Sequence, residues 1–188
     1  MLSLPVAPAH EVRPARATEL LELAAVRRLS WWAAYRGVLP EAELRRMDDA
    51  RTARRMAAAL RARAQSLLVV EDRHGRPFGY AWAGPHREGL GGHRGELYEL
   101  YLHPHAQGQG AGRSLLVAAI WSLVDLGLHP VLVWVLAANP ARHFYAACGG
   151  VQVGQGPVTV AGRTLTRLAF SWKGALPLPL SLPLPPSL

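Results

Sequence analysis

The chain is poor in cysteine, lysine and acid. One cysteine, Cys148, stands among 188 residues, which excludes an internal disulfide and any zinc site built on several cysteines, and agrees with a reducing compartment. One lysine, Lys173, leaves arginine to supply nearly all of the positive charge, 21 basic against 13 acidic residues for a formal net charge of +8. That balance favours an anionic ligand and steers anions in general. The densest arginine cluster, Arg45, Arg46, Arg51, Arg54, Arg55, Arg61 and Arg63, is interspersed with Glu41, Glu43, Asp48 and Asp49. The mixture suits a solvated helix face better than a nucleic-acid stripe, and the chain carries no nucleic-acid recognition motif.

Long apolar runs are also missing. No stretch of about 18 apolar residues is free of charges and breakers, so no membrane span is expected. "MLSLPVAPAHEV" has neither the basic start nor the unbroken apolar core of a signal peptide. The expectation is a soluble, cytoplasmic protein. What is there is a globular composition, 50% apolar and 18% charged, at a length that makes one domain with its own core. Residues 1–10 read as an extension and residues 11–173 as the domain. The last stretch, "GALPLPLSLPLPPSL" (174–188), is too rich in proline for helix or central strand and is expected to be a disordered tail.

Within the domain "EVRPA" is a short strand and "TELLELAAVRRL" a helix capped by Thr18, with Glu19 and Glu22 at its start and Arg27 and Arg28 at its end. "SWWAAYRGVLP" follows, and Glu41 to about Arg63 is again helical. "SLLVVED" and "PFGYAWAG" form a hairpin over Asp72, Gly75 and Pro77, and "GELYELYL" (Gly95–Leu102) is the next strand. A helix burying Leu115, Leu116, Ala119, Ile120 and Leu123 leads to the unbroken apolar strand "VLVWVLA", which is a right-handed strand-helix-strand unit. "NPARHFYAACGG" is a short helix capped by Asn139, and a last hairpin turns at Ala161-Gly162.

The chemistry concentrates between the strand and helix of that unit, where Gly108, Gly110 and Gly112 fall within five residues. A nucleoside-triphosphate loop needs Gly, four residues, then Gly-Lys-Ser/Thr, and Gln107 and Arg113 occupy the places of its first glycine and its lysine. A dinucleotide loop starting at Gly108 puts Arg113 where the third glycine must let the helix approach. "QGQGAG" (Gln107 to Gly112) does match Gln/Arg-x-x-Gly-x-Gly/Ala in full. Absent side chains there let backbone N–H groups converge on a pyrophosphate at a helix N-terminus, and Arg113 adds a charge.

With this loop, the order of elements and the "N…FY…G" segment at Asn139 to Gly149, the chain from about Val12 to Trp172 resembles the GNAT superfamily of acetyl-CoA-dependent N-acetyltransferases. "SWWAAYRGVLP" is similar to the opening of a widespread bacterial subgroup. Two positions depart from the pattern: Gly150 stands where an aromatic residue is common, which alters packing under the final strands, and Ala106 where a larger residue is frequent.

The resemblance implies an α/β (α+β) fold, a mixed, mostly antiparallel central sheet with flanking helices and a splayed parallel pair binding CoA. The loop should lie between the fourth strand and the third helix. By the same resemblance the backbone of Gln107, Gly108, Gln109, Gly110, Ala111, Gly112 and Arg113 binds the CoA pyrophosphate. Leu100, Tyr101 and Leu102 pair with the pantetheine arm and the acetyl carbonyl, and Asn139 either only caps its helix or also meets that arm. Tyr145 either packs in the core or protonates the departing thiolate. The attacking amine needs a base, and Glu96 is chosen by its place six residues before Leu102, with Glu99 or water as alternatives. In a regular strand an odd separation sends Glu96 and Glu99 to opposite faces. Trp31, Trp32 and Tyr35 border the acceptor.

The acceptor expected is a small-molecule or peptide amine, with no nucleic-acid or membrane partner, and homodimerisation stays open. No metal is expected, since His103 and His105 lack a recognisable third ligand. Cys148 reads as a packed small residue. A non-catalytic acyl-CoA-binding module is the competing reading.

Overall fold

A computed structural model describes residues 10–88 and 90–173. The Pro/Leu-rich tail and, His10 apart, the N-terminal extension lie outside the described residues. In chain order the elements are β1 (Glu11–Pro14), α1 (Leu20–Tyr35), α2 (Glu41–Arg45), α3 (Asp49–Arg61), β2 (Ser66–Glu71), β3 (Pro77–Pro85), β4 (Gly95–Leu102), α4 (Ala111–Asp125), β5 (Val131–Leu136), α5 (Ala141–Ala147), β6 (Val151–Val160) and β7 (Arg163–Trp172). The strands form one seven-stranded sheet in the order β1-β2-β3-β4-β5-β7-β6. Every neighbouring pair is antiparallel except β4 and β5. This is the mixed, mostly antiparallel sheet with one parallel pair that the sequence leads one to expect.

Helix α4 covers one face. Its apolar positions recur at helical spacing, and Leu115, Leu116, Ala119, Ile120 and Leu123 are all buried in the core that the helix forms with β2, β3 and β4. Each fully buried leucine there contributes about 1.5–3 kcal/mol. On the other face α1 and α3 set Leu23, Val26 and Met56 against Tyr80 and Trp82.

Two helical expectations change. The segment after Pro40 is two helices, because Asp48 adopts extended backbone and its carboxylate accepts the Arg51 N–H (3.0 Å), starting α3 afresh. The glycine loop therefore precedes the fourth helix of the chain and not the third. Thr18 does not cap α1 but lies in a 3-10 turn, Ala17–Glu19. There the Glu19 carboxylate accepts the Arg16 N–H (2.8 Å) and is gripped by Arg13, which also binds Glu71 (Nε to Oε2, 2.7 Å).

Two irregularities shape the C-terminal end of β4. Pairing with β3 runs Trp82 to Glu99 and then Ala83 to Leu97, so Tyr98 is an extra residue, a β-bulge. Pairing with β5 covers only Gly95–Leu97 against Val131–Val133. Beyond Leu97 the parallel pair parts, and the sheet opens toward the end of the strand.

Candidate active site

The opened edge offers backbone donors. The His103 N–H bonds the Phe78 carbonyl (2.7 Å), so by the alternation of an antiparallel ladder Tyr101 also turns its N–H toward β3. The N–H groups of Leu100 and Leu102 then face the gap. The Leu102 carbonyl lies 2.7 Å from Ser30 Oγ of α1, which ties the end of β4 to that helix.

The glycine loop comes immediately after β4. Gly108 and Gly110 take φ of +78° and +87°, left-handed values that residues with a Cβ resist. The first internal bonds of α4 run from Arg113 and Ser114 to the Gly110 carbonyl (3.0 and 3.2 Å), which leaves the preceding N–H groups to an outside acceptor. Gly112 abuts Leu102 and Phe144: a Cβ there lies 3.3 Å and 3.5 Å from their side chains. The geometry fits a pyrophosphate on the loop and an extended arm along β4. Arg113, exposed in the first turn, adds a positive charge.

Behind the gap is a cleft of about 310 Å³, bordered by Trp31 and Tyr35 of α1, Glu96 to Tyr101, Val133 to Leu136, Asn139 and Tyr145. Trp32, expected with Trp31 and Tyr35, does not line it but packs against the cluster of Tyr35, Leu39, Leu44 and Leu136, as neighbouring helix positions point about 100° apart. Trp31 Nε1 donates to the Tyr101 hydroxyl (2.6 Å). Asn139 serves twice, accepting the Ala141 N–H on Oδ1 (2.9 Å) and donating from Nδ2 to the Tyr35 hydroxyl (2.7 Å).

Glu96 and Glu99 do not lie on opposite faces. The bulge at Tyr98 inserts an extra residue between them, and both line this cleft. Their surroundings differ. Glu96, only 2% exposed, accepts from His86 Nδ1 (3.1 Å), the Arg87 N–H (3.1 Å), Arg87 Nε (3.2 Å) and Arg87 Nη2. Glu99 accepts one hydrogen bond, from the buried Tyr80 hydroxyl (2.5 Å), with Arg27 Nε 3.3 Å away. Burial, with the Glu99 charge beside it, pushes the Tyr80 hydroxyl well above its ordinary range, so it stays a donor.

Tyr145, on α5, is 5% exposed and packs against Phe144, Phe170 and Trp172. Burial raises its hydroxyl above the usual tyrosine range, which keeps it protonated at neutral pH, as a proton donor must be. Burial also raises the Cys148 thiol, which keeps that thiol un-ionised. Gly150 owes its place to Trp172: a Cβ at Gly150 lies 2.8 Å from the indole and 2.9 Å from the Tyr145 carbonyl. The Trp172 ring, on β7, fills the space beside Gly150. Among the described residues no group of three or more His, Cys, Asp or Glu side chains is placed to hold a metal ion.

Several neighbours have no sequence signature of their own. His86 and Arg87 on Glu96, Ser30 on Leu102, and the stacking of Arg167 on Trp134 (4.0 Å) all join residues far apart in the chain or lie in an unremarkable loop. The one readable hint is the pair of histidines bracketing a glycine-rich stretch just before an acidic strand, "HREGLGGHRGE".

A sheet that parts beside a glycine-lined helix start, over a cleft holding carboxylates and a buried tyrosine, is a geometry that an acyl transferase can use. The model of the acetyltransferase (GNAT) family matches residues 23–149, and the chain belongs to that family as an N-acetyltransferase. It is 30% identical over 166 residues to the uncharacterized N-acetyltransferase YuaI of Bacillus subtilis (strain 168), covering 86% of this chain and 91% of that one. Over 85 residues, 44% of this chain, it is 42% identical to mycothiol acetyltransferase of Arthrobacter sp. (strain FB24), but the match spans only 26% of that protein. Among solved structures, ribosomal-protein-alanine N-acetyltransferase from Brucella melitensis superposes with a TM-score of 0.68 at 25% identity, covering 87% of this chain and 99% of that one. The fold is shared with yncA of Salmonella typhimurium, a putative acetyltransferase solved with acetyl-CoA (TM-score 0.69, 21% identity, 92% and 99% covered).

Proposed function

We propose that the chain transfers the acetyl group of acetyl-CoA to a primary amine by direct attack, in the cytoplasm. The observation that carries this reading is the parting of β4 and β5 after Leu97, which presents the Leu100 and Leu102 N–H groups next to the glycine loop. Gln107 to Arg113 hold the pyrophosphate of the bound thioester, and β4 takes its arm as an added strand. Asn139, which already caps α5 and binds Tyr35, keeps one amide hydrogen for that arm.

Glu96 draws the proton from the incoming ammonium. Three of the hydrogen bonds that its carboxylate accepts fall on Oε2 and one on Oε1, so the proton arrives at Oε1, relayed by water to this buried group. The N–H groups at Leu100 and Leu102 steady the carbonyl oxygen as negative charge gathers there. The Tyr145 hydroxyl protonates the leaving sulfur while the new C–N bond forms and the C–S bond breaks, and regains its proton from solvent.

Glu99, with a single hydrogen bond on the same cleft, is the second carboxylate to test. A pH–rate profile that loses its acidic limb in Glu96→Gln and keeps it in Glu99→Gln supports Glu96, and the reverse assigns the role to Glu99. For the acceptor, the likeness to mycothiol acetyltransferase and to the ribosomal-protein-alanine enzyme points to a small-molecule amine or a peptide N-terminus.

The test is release of free CoA thiol over a panel of glucosamine, spermidine, the free amino acids and peptides with varied N-terminal residues, with acetyl-CoA binding measured calorimetrically beside it. Amine-dependent release with a matching acetylated product is the expected result. Tight acetyl-CoA binding with no release from any amine makes the chain an acyl-CoA-binding module instead.

A further inference from the structure

The connection between β3 and β4 carries a set of buried hydrogen bonds that acetyl transfer as described leaves without a role. His86 and His93 both lie in it, His93 8% exposed and the His86 side chain 2%. Their partners dictate where the ring protons sit. The Leu90 N–H donates to His86 Nε2 (2.9 Å), so that nitrogen carries no proton. The proton of the ring is therefore on Nδ1, 3.1 Å from Glu96 Oε2. His93 Nδ1 lies 2.7 Å from the Leu90 carbonyl, which only accepts, so His93 also carries its proton on Nδ1. His93 Nε2 is left to take the hydroxyl hydrogen of Ser171 (2.7 Å), itself 2% exposed on β7.

The bonds form two runs that meet at Leu90: Ser171 to His93 and His93 to the Leu90 carbonyl, then the Leu90 N–H to His86 and His86 to Glu96, the carbonyl and the N–H belonging to neighbouring peptide groups. Aligned hydrogen bonds in a low-dielectric interior polarise one another, and the second run ends on the proposed proton acceptor, while the first holds Leu90 in place for it. His86 Nε2 is occupied by the Leu90 N–H, so the ring meets the carboxylate as a donor through Nδ1.

We infer that His86 is a positioning residue for the acetyl-transfer reaction: oriented by Leu90, which His93 and Ser171 hold in turn, it fixes the Glu96 carboxylate in place. The inference rests on the reading of Glu96 as proton acceptor. The other groups facing Glu96 are the Arg87 guanidinium and N–H, the Tyr98 ring under that guanidinium (4.1 Å), and Glu99 on the same strand. Arg167, bound to Glu88, lines the cleft from β7. Arg87 and Arg167 are untouched by substitution at His86, so the change read is that of one donor.

Two substitutions separate positioning from loop packing. Glutamine places its terminal amide near Nε2, keeps an acceptor for the Leu90 N–H and removes the donor to Glu96. Asparagine places its amide near Nδ1, keeps the donor and gives up Leu90. The measurements are kcat/KM against pH with the best amine of the panel, and a carbon-13 NMR titration of the Glu96 carboxyl, which needs no acceptor.

His86→Gln is expected to lower kcat about tenfold at unchanged KM for acetyl-CoA. It should also raise the pH of the acidic limb and of the Glu96 titration by about one unit, because a bond to the ionised form has gone. His86→Asn is expected to stay within about threefold of the parent in kcat, with the acidic limb in place, since its donor remains. A normal profile and titration for His86→Gln with an impaired His86→Asn overturns the inference and reduces His86 to a packing role. A Glu96→Gln variant that keeps the parent's acidic limb overturns the base reading and this inference with it. Loss of that limb in Glu96→Gln while both His86 variants match the parent overturns the positioning role alone.

Discussion

The donor and acceptor halves of the cleft are built from different material. The proposed donor half is mainly backbone: the N–H groups of Leu100, Leu102 and the loop from Gln107 to Arg113, exposed because two strands part and because glycines leave room, with the Asn139 amide and the Arg113 charge beside them. The acceptor half is side chain, with Glu96 held by His86 and Arg87, Glu99 by Tyr80, and Tyr101 by Trp31. A backbone cradle recognises a constant chemical group, so it recurs as a short motif. A side-chain cleft is free to differ from one family member to the next, which is why the acceptor has to be found by assay.

The comparison can be broken from either side. The largest effect is expected from Gly112→Val, whose branched side chain lands on Leu102 and Phe144 and crowds the cradle. The KM for acetyl-CoA should rise about 100-fold, as expected when several backbone hydrogen bonds to charged phosphate are lost together. Steady-state kinetics at a fixed amine concentration measures it, and a change below threefold breaks the assignment of the loop.

Tyr145→Phe should lower kcat by about 100-fold at unchanged acetyl-CoA affinity, the size of one general-acid contribution. Single-turnover rates compared with binding isotherms check it, and an unaltered rate removes Tyr145 from the chemistry.

Gly150→Ala sharpens the contrast between catalysis and support. The added methyl meets the Trp172 ring and the Tyr145 carbonyl, and overpacking of this kind costs about 1–3 kcal/mol. Thermal unfolding should show that loss, with any change in rate confined to kcat, because the strain reaches Tyr145 and not the loop.

The smallest effect lies far from both halves. Arg13 holds the Glu19 carboxyl below its usual range, so the pair's contribution is present above the ordinary glutamate value and fades as pH falls through the depressed one. Arg13→Gln should therefore destabilise the protein near neutral pH and much less in acid, which denaturant unfolding at the two pH values measures. An equal loss at both assigns Arg13 a packing role.

Much of the fold and of the donor site is legible in the chain because it is local. The loop is six contiguous residues, Asn139 caps the helix that begins two residues later, and α4 displays its apolar stripe in order. The features that are not legible depend on contacts between distant segments. The bulge at Tyr98, which brings Glu96 and Glu99 into one cleft, leaves no mark in "GELYELYL", where strict alternation separates them. The division of the helical stretch after Pro40 turns on Asp48, whose cap is hidden within an evenly charged run. His93 meets Ser171 across 78 residues, and a histidine beside glycines signals nothing until the strand that carries its partner is in place. Gly150 is visible as a departure, but its cause, Trp172, sits on the last strand.

The separability of the two halves is the claim on which the rest depends, and calorimetric titration of acetyl-CoA tests it most directly. Into Glu96→Gln, the acetyl-CoA dissociation constant should match the parent within about twofold, since no hydrogen bond to the thioester is altered, while into Gly112→Val it should weaken about 100-fold. Equal weakening in both variants contradicts a donor site separable from the acceptor side chains.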